Sequence, residues 1–279
     1  MLSFKQLVRI AVPGFRLMSA GPARLVDIAD DGGIAVVTLQ RAPVNSLNLE
    51  LLQAMNNALD DVAKNKPRGM ILTSGLPTVY SAGVDINELY KPDLKRLQQF
   101  ATTLQDVWKK LFGFPFATAA AINGHAPAGG CCLAMSCEYR VMVSGKYRIG
   151  LNETALGIVV NEYFMDTMCH TIGTRQTELA LTTGKMFNVD EALQVGLIDE
   201  TASDTSDAIE KCKRFIKRFD KIPPSARTLT KLRIRQRPLE NMEKTREKEI
   251  VDTLEFAMKP EIQQGLEDYM KSLKIKAST

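Results

Sequence analysis

One carboxylate stands apart because its neighbours offer it nothing to pair with. Glu153 lies in Leu151-Asn152-Glu153-Thr154-Ala155-Leu156-Gly157-Ile158, flanked by the apolar Leu151, Leu156 and Ile158. Loss of water disfavours the charged form, so a carboxyl set there is expected to hold its proton to higher pH than a solvated one. A group that must take a proton and then return it benefits from that shift. Upstream, Pro127-Ala128-Gly129-Gly130 ends an apolar run and opens a small-residue segment, Cys131 to Ser136. Ser81-Ala82-Gly83-Val84-Asp85 holds the matching position after an earlier apolar run. Backbone N–H groups at a helix start have no intrahelical acceptor. If the two loops meet, the N–H of Val84 and the N–H of Gly129 can converge on one oxygen, which is what stabilising an oxyanion requires. Glycine keeps that approach free of Cβ atoms. The plainer reading of the glycines is tight turns that let helices approach a sheet, and neither loop has a nucleotide-binding spacing. The plainer reading of Glu153 is a helix-capping or loop carboxylate.

The elements that must position these groups follow from periodicity. Leu25 to Gln40 predicts a hairpin turning at Asp31-Gly32-Gly33. Leu47 to Val62 has apolar residues at helical spacing, with Asn48 as its cap. Arg68 to Thr73, Ala117 to Ile122, Tyr139 to Val143 and Tyr147 to Leu151 predict strands. Helices are expected over Leu94–Phe112, Glu162–Cys169, Gln176–Leu181 and Asp207–Phe219, with a capped helix start at Asn188 that Gly196 ends. Leu197-Ile198-Asp199 reads as a short closing strand. Beyond Pro223-Pro224, the strongest boundary signal in the chain, helices are expected over Ala226–Arg235, Met242–Met258 and Ile262–Leu273. Strand-then-helix alternation requires crossovers, hence an α/β fold with parallel or mixed sheets.

The chain of 279 residues is 45% hydrophobic, enough for one sizeable core with or without a smaller appendage. The first 20 residues carry Lys5, Arg9 and Arg16 and no acid, three of the four net positive charges. They suggest a cleavable mitochondrial presequence ending near Met18 to Gly21, or else a loosely docked arm. No apolar run is long enough to span a bilayer, and the C-terminus does not present a peroxisomal address. Cysteines 131, 132, 137, 169 and 212 form no metal-ligand pattern with His125 and His170, so reduced, buried thiols are expected. The basic runs at Lys211–Arg218 and Lys231–Arg237 could be solvated faces, partners for phosphates, or a nucleic-acid surface. Aromatics are only 6% and acids such as Asp220, Glu240 and Glu243 intervene, so no nucleic acid is expected as the partner.

PVNSL at Pro43–Leu47, SAGVDINEL at Ser81–Leu89, INGHAPAGGCCLAMSCEYR at Ile122–Arg140 and LNETALGI at Leu151–Ile158 resemble the crotonase superfamily. Asn152-Glu153-Thr154 is similar to its isomerase branch, the mitochondrial Δ3,Δ2-enoyl-CoA isomerases. The likeness runs from about Leu25 to Leu273. It implies a crotonase-like ββα spiral core, here residues 21–222 after a presequence over 1–20, and a C-terminal helical trimerisation region, 223–279. It implies a homotrimer in the mitochondrial matrix that isomerises a 3-enoyl-CoA to a trans-2-enoyl-CoA. Glu153 matches the acid/base, and Val84 and Gly129 match the backbone donors to the thioester oxygen. Val44, Asn45, Ala82, Ile86 and Pro127 match the substrate and CoA lining. No cofactor or metal is implied, coenzyme A being part of the substrate.

One departure bears on the reaction. Hydratases of the superfamily carry a second glutamate where this chain has Cys132. Hydration needs a water held between two carboxylates, so efficient hydratase chemistry is not expected. Glu162 could replace the missing acid or simply start the following helix. His125 and His170 are expected to be structural, and Asp85 and Glu88 to support the N-terminus of the helix after their loop. The rival to an enzyme is an inactive trimeric scaffold or CoA-binding module, against which Glu153 and both glycine loops argue.

Overall fold

A computed structural model describes residues 24–277, so the basic head expected to be a presequence lies outside the described residues. In chain order the elements are β1 (Val26–Asp31), β2 (Ile34–Leu39), α1 (Leu49–Asn65), β3 (Gly69–Ser74), α2 (Leu94–Phe112), β4 (Ala117–Ile122), β5 (Ala126–Pro127), α3 (Gly129–Ser136), β6 (Tyr139–Val143) and β7 (Arg148–Gly150). They continue with α4 (Glu162–Ile172), α5 (Thr174–Thr183), β8 (Phe187–Asn188), α6 (Val189–Gln194), β9 (Glu200–Ala202), α7 (Thr205–Lys217), α8 (Pro224–Ala257) and α9 (Pro260–Ala277). Single 3-10 turns stand at Ile86–Glu88 and Glu153–Leu156.

Six strands form one sheet in the order β1-β2-β3-β4-β6-β9, with only the β1–β2 pair antiparallel. A small second sheet joins β5, β7 and β8. Side chains alternate across a strand, so the large sheet feeds two cores. Ala117, Ala119 and Ala121 of β4 face α7, packing with Ile71, Val141, Ala208, Cys212 and Ile216. Ala120 and Ile122 face the larger core, where α1, α2, α3 and α4 bury Leu52, Met55, Trp108, Phe112, Leu133 and Phe164. Cover on both faces explains why β3 and β4 are buried along their whole length.

Helix starts follow their caps. The Asn48 side chain accepts from Leu51 N, and Asn188 with Glu191 forms a reciprocal capping box on α6. Two expectations shift. The closing strand falls at Glu200–Ala202, not at Leu197–Asp199, which approaches β6 through Asp199 N donating to Arg140 O. The region after Pro223 forms one 34-residue helix with Pro238 inside it, where a break between Arg235 and Met242 was expected.

That helix is bolted to the core by buried charge. Arg235, 5% exposed, donates to Phe112 O and Ser136 O, terminal carbonyls of α2 and α3, and stacks on the Phe112 ring. These are the negative ends of two helix dipoles. Lys231 donates to Phe114 O, Phe116 O and Glu138, which Arg227 also grips. Burial pulls the Lys231 ammonium down to about 8.

Candidate active site

The first loop is built by zipping residues 41–47 to residues 81–85. Ser81 is fully buried, its hydroxyl donating to Asn45 O and accepting from Gly83 N. Ala82 N donates to Val44 O at 2.9 Å, Leu47 N to Gly83 O at 2.7 Å, and Asp85 N to Leu47 O at 3.1 Å. Leu47 and Val84 thus form an isolated parallel bridge. The N–H of Val84 donates to no group among the described residues. A trans peptide sets its C=O and N–H on opposite sides of one plane. Since Gly83 O faces Leu47, the N–H of Val84 must face away from the 41–47 loop.

The second loop supplies a matching donor. Gly129 is the first residue of α3, where the N–H has no intrahelical acceptor. It follows Ala128, whose φ of 50° and ψ of −124° is a conformation that a residue with a Cβ rarely adopts. The turn is held by Ala128 N donating to Gly150 O at 2.8 Å. A Cβ added to Gly83 would lie 3.0 Å from Gly129 N, and one added to Gly129 would lie 3.5 Å from Val84 N. The two unpaired amides are therefore neighbours, and only glycine at both positions leaves the space between the loops open.

Glu153 reaches the same place by another route. Pairing of β5 with β7 sets Pro127 beside Gly150, so Leu151–Glu153 runs past the first turn of α3. The 3-10 turn that follows closes on Gly157, in the left-handed region, whose N–H returns to Glu153 O and Thr154 O. It rests on the end of α5, where a Cβ on Gly184 would lie 2.7 Å from Ala155 Cβ. The Glu153 Oε2 is buried with no hydrogen-bond partner. Burial pushes its pKa up to about 7, opposed only by its own backbone N–H. No second carboxylate contributes to that shift. Cys131, Cys132 and Tyr163 all feel the Glu153 charge. Cys132 is 2% exposed, and burial first, then Cys131 and Glu153, push its thiol far up, leaving it no base.

The remaining sequence candidates divide. Val44, Ala82, Ile86 and Pro127 are half-buried beside the two loops. Asn45 is wholly buried, with Nδ2 near Leu39 O, Ser74 Oγ and Tyr80 O and Oδ1 accepting from Arg41 N. Its side chain is engaged in shaping the loop. Glu162 is exposed at the start of α4. The His125 ring accepts from Arg148 N, and His170 lies edge-on to Phe112. Asp85 caps the 3-10 turn through Asn87 N, whereas Glu88 reaches back to cap α1 at Leu49 N. In the first basic run Lys211 pairs with Glu200 and Asp207, Lys213 with Asp31 and Glu210, and Arg214 with Glu200; in the second, Lys231 pairs with Glu138. Sequence reasoning passed over Arg41, which pairs with Asp85, and Glu249, which accepts from Asn161 Nδ2 and Glu162 N. Arg41 directly precedes the Pro-Val-Asn-Ser-Leu loop by two residues, its one signal; Glu249 is 96 residues beyond Glu153 and had none.

Comparison with known proteins bears on this arrangement. The family model described as enoyl-CoA hydratase/isomerase matches residues 29–277. The chain is 39% identical over 270 residues to a Mus musculus protein named enoyl-CoA delta isomerase 1, mitochondrial, covering 96% of this chain and 93% of that one. The Homo sapiens protein of the same name is 36% identical, over 91% of this chain and 85% of its own length. The crystal structure of human mitochondrial delta3-delta2-enoyl-CoA isomerase superposes with a TM-score of 0.87 at 35% identity, covering 90% of this chain and 99% of that one.

Proposed function

The chain belongs to the enoyl-CoA hydratase/isomerase family, and on that premise we propose that Glu153 is the single acid/base of its reaction. The activity is isomerisation of an enoyl-CoA, a Δ3 double bond moving to Δ2 in fatty-acid oxidation. The C2 proton of a 3-enoyl thioester is acidic because its removal spreads charge over the carbonyl and the C3=C4 bond. Ionised Glu153 takes that proton while the N–H groups of Val84 and Gly129 hold the negative thioester oxygen. The same carboxyl, now protonated, delivers the proton to C4, and the trans-2-enoyl thioester is conjugated. One base serves both carbons when C2 and C4 present the same face to it. No electron is gained or lost overall, so the balance needs no redox partner.

The observation that carries this reading is the buried, unpartnered Glu153 Oε2 with its pKa near 7. With Cys132, whose thiol burial keeps protonated, in place of a second carboxylate, the carboxylate pair that hydration needs is not formed there, which supports isomerisation over hydration. We place the coenzyme along the 43–47 loop, with Val44, Ala82, Ile86 and Pro127 lining the cleft. We propose a homotrimer, for which α8 carries exposed apolar side chains at Leu229, Ile234 and Val251. A mitochondrial location is supported by the relatives' names and the basic head, and within the mitochondrion we place the chain in the matrix. Among the described residues no helix is long and apolar enough to cross a membrane.

The test is turnover of a 3-enoyl-CoA and, separately, hydration of a trans-2-enoyl-CoA by wild type and Glu153→Gln. Expected are rapid isomerisation, little hydration, and loss of about 10²–10⁴-fold in kcat in the folded variant. Dominant hydration by wild type, or an active Glu153→Gln, overturns the assignment.

A further inference from the structure

The oxyanion reading makes the aim of one peptide plane decisive, because the Gly83–Val84 unit is rigid and its carbonyl is already committed to Leu47 N. What fixes that plane in depth is the segment on either side of it. Upstream, Ser81 is buried and bonded to Asn45 O. Downstream, Asp85 is 7% exposed and its carboxylate is divided. Oδ1 accepts from the N and Nδ2 of Asn87, at 3.1 and 2.8 Å. Oδ2 meets Arg41 Nη2 at 2.9 Å. The other end of the same guanidinium, Nη1, donates to Ser46 O at 2.9 Å. Arg41 N itself is held by Asn45 Oδ1 at 2.7 Å. One planar group therefore ties together both strands of the bridge, one residue before Leu47 on one side and one residue after Val84 on the other. A guanidinium is suited to this because its donors sit in a fixed fork. Burial of Asp85 leaves the pair less screened by salt and water than an exposed one.

We propose that Arg41 is a positioning residue for catalysis: through Asp85 and Ser46 O it sets the aim of the Val84 N–H at the thioester oxygen. The assignment rests on the reading of Val84 and Gly129 as the oxyanion donors. It predicts that Arg41 contributes to the rate step and little to substrate affinity, since hole donors act where charge develops.

The experiment uses the full chain with a saturated acyl-CoA carrying a ¹³C-labelled thioester carbonyl, an inert ligand, and reads the carbonyl stretch by infrared difference spectroscopy. Wild type is expected to lower the band relative to the free thioester. Arg41→Gln and Asp85→Asn should move it back toward the free value, with kcat for a 3-enoyl-CoA down about tenfold and KM within about twofold. Arg41→Lys, which keeps the charge and loses the fork, should recover part of both. An unchanged band and kcat in folded Arg41→Gln overturns the positioning role and leaves the oxyanion reading standing. A wild-type band at the free value overturns the oxyanion reading itself, and the proposal with it. Failure of Arg41→Gln and Arg41→Lys alike to fold would make the pair a general fold determinant and would also overturn it.

Discussion

In the proposed mechanism the Glu153 carboxyl has to be ionised to begin turnover, whereas it is held in a place that resists ionisation, and both are open to measurement. Its folded pKa, about 7, lies above the ordinary carboxylate value because burial removes water from the anion. Between about pH 4.5 and 7 the folded chain therefore binds more protons at this site than the unfolded chain, and stability falls as pH rises through that window. Glu153→Gln cannot ionise and escapes the fall. The variant is expected to match wild type in thermal melts below pH 4.5 and to exceed it above pH 8, by up to about 3 kcal/mol. Over the same range kcat/KM of wild type should climb through pH 7 as the base is uncovered. Equal pH-dependence of stability in both proteins would mean that the carboxyl is not desolvated. This residue was legible in the sequence because its flanks are apolar. The burial of Asn45 was not legible for the converse reason: an asparagine in a loop looks available, and only the fold reveals that Leu39, Ser74 and Tyr80, from three separate places in the chain, engage its side chain.

Elements bring the two amides together, and glycine sets how closely. Gly83 has φ +81°, and an alanine Cβ there would lie 2.9 Å from Ala128 Cβ and 3.0 Å from Gly129 N. Gly83→Ala should thus force the loops apart and lower kcat by about 10²-fold, with KM changed far less. Gly32 at the β1–β2 turn has a similar φ of +63° and open space around it, so Gly32→Ala carries the backbone strain without displacement. Its kcat should stay at the wild-type level while its stability drops by about 1 kcal/mol. Comparable kcat losses in the two variants would show that strain alone, not the gap between the loops, governs the rate. Strand-turn-helix order around these glycines could be read from periodicity, which is why the loops were found. The course of α8 could not. Proline inside a helix removes one hydrogen bond and clashes one turn back. Here contacts on both sides of Pro238 keep the helix whole: Arg235 on two helix ends before it, Asn241 on Asp166 and Arg246 on Asp106 after it. Those partners are 75 to 140 residues away, beyond the reach of any local pattern.

At the scale of the whole chain, Pro223-Pro224 marks a boundary in sequence that the packing does not respect. Everything before it supplies the sheet, both amide-bearing loops and Glu153; everything after it is helix. Yet Arg235 caps the C-terminal ends of α2 and α3, Lys231 holds the Phe114 and Phe116 carbonyls between α2 and β4, and Glu249 caps the N-terminus of α4, the helix that follows the Glu153 turn. Removal of α8 would strand Glu138 without Arg227 or Lys231 and leave the carbonyls of Phe112, Phe114 and Ser136 without those donors. The net stabilisation from those charge-assisted hydrogen bonds, about 1.5–3 kcal/mol each, would be lost, and the total is comparable to the net stability of a domain. It would also take Met242 and Ala257 out of the main core and leave the side chains packed on them exposed. A chain ending at Ile222 is therefore expected to lack a cooperative thermal transition and to be cleaved rapidly by protease near α4. The full chain should melt in one step, with the helical tail and the sheet lost together. A sharp transition in the shortened chain would make the tail an independent appendage, and Glu249 and Arg235 would lose their place as links between the C-terminal helices and the catalytic loops.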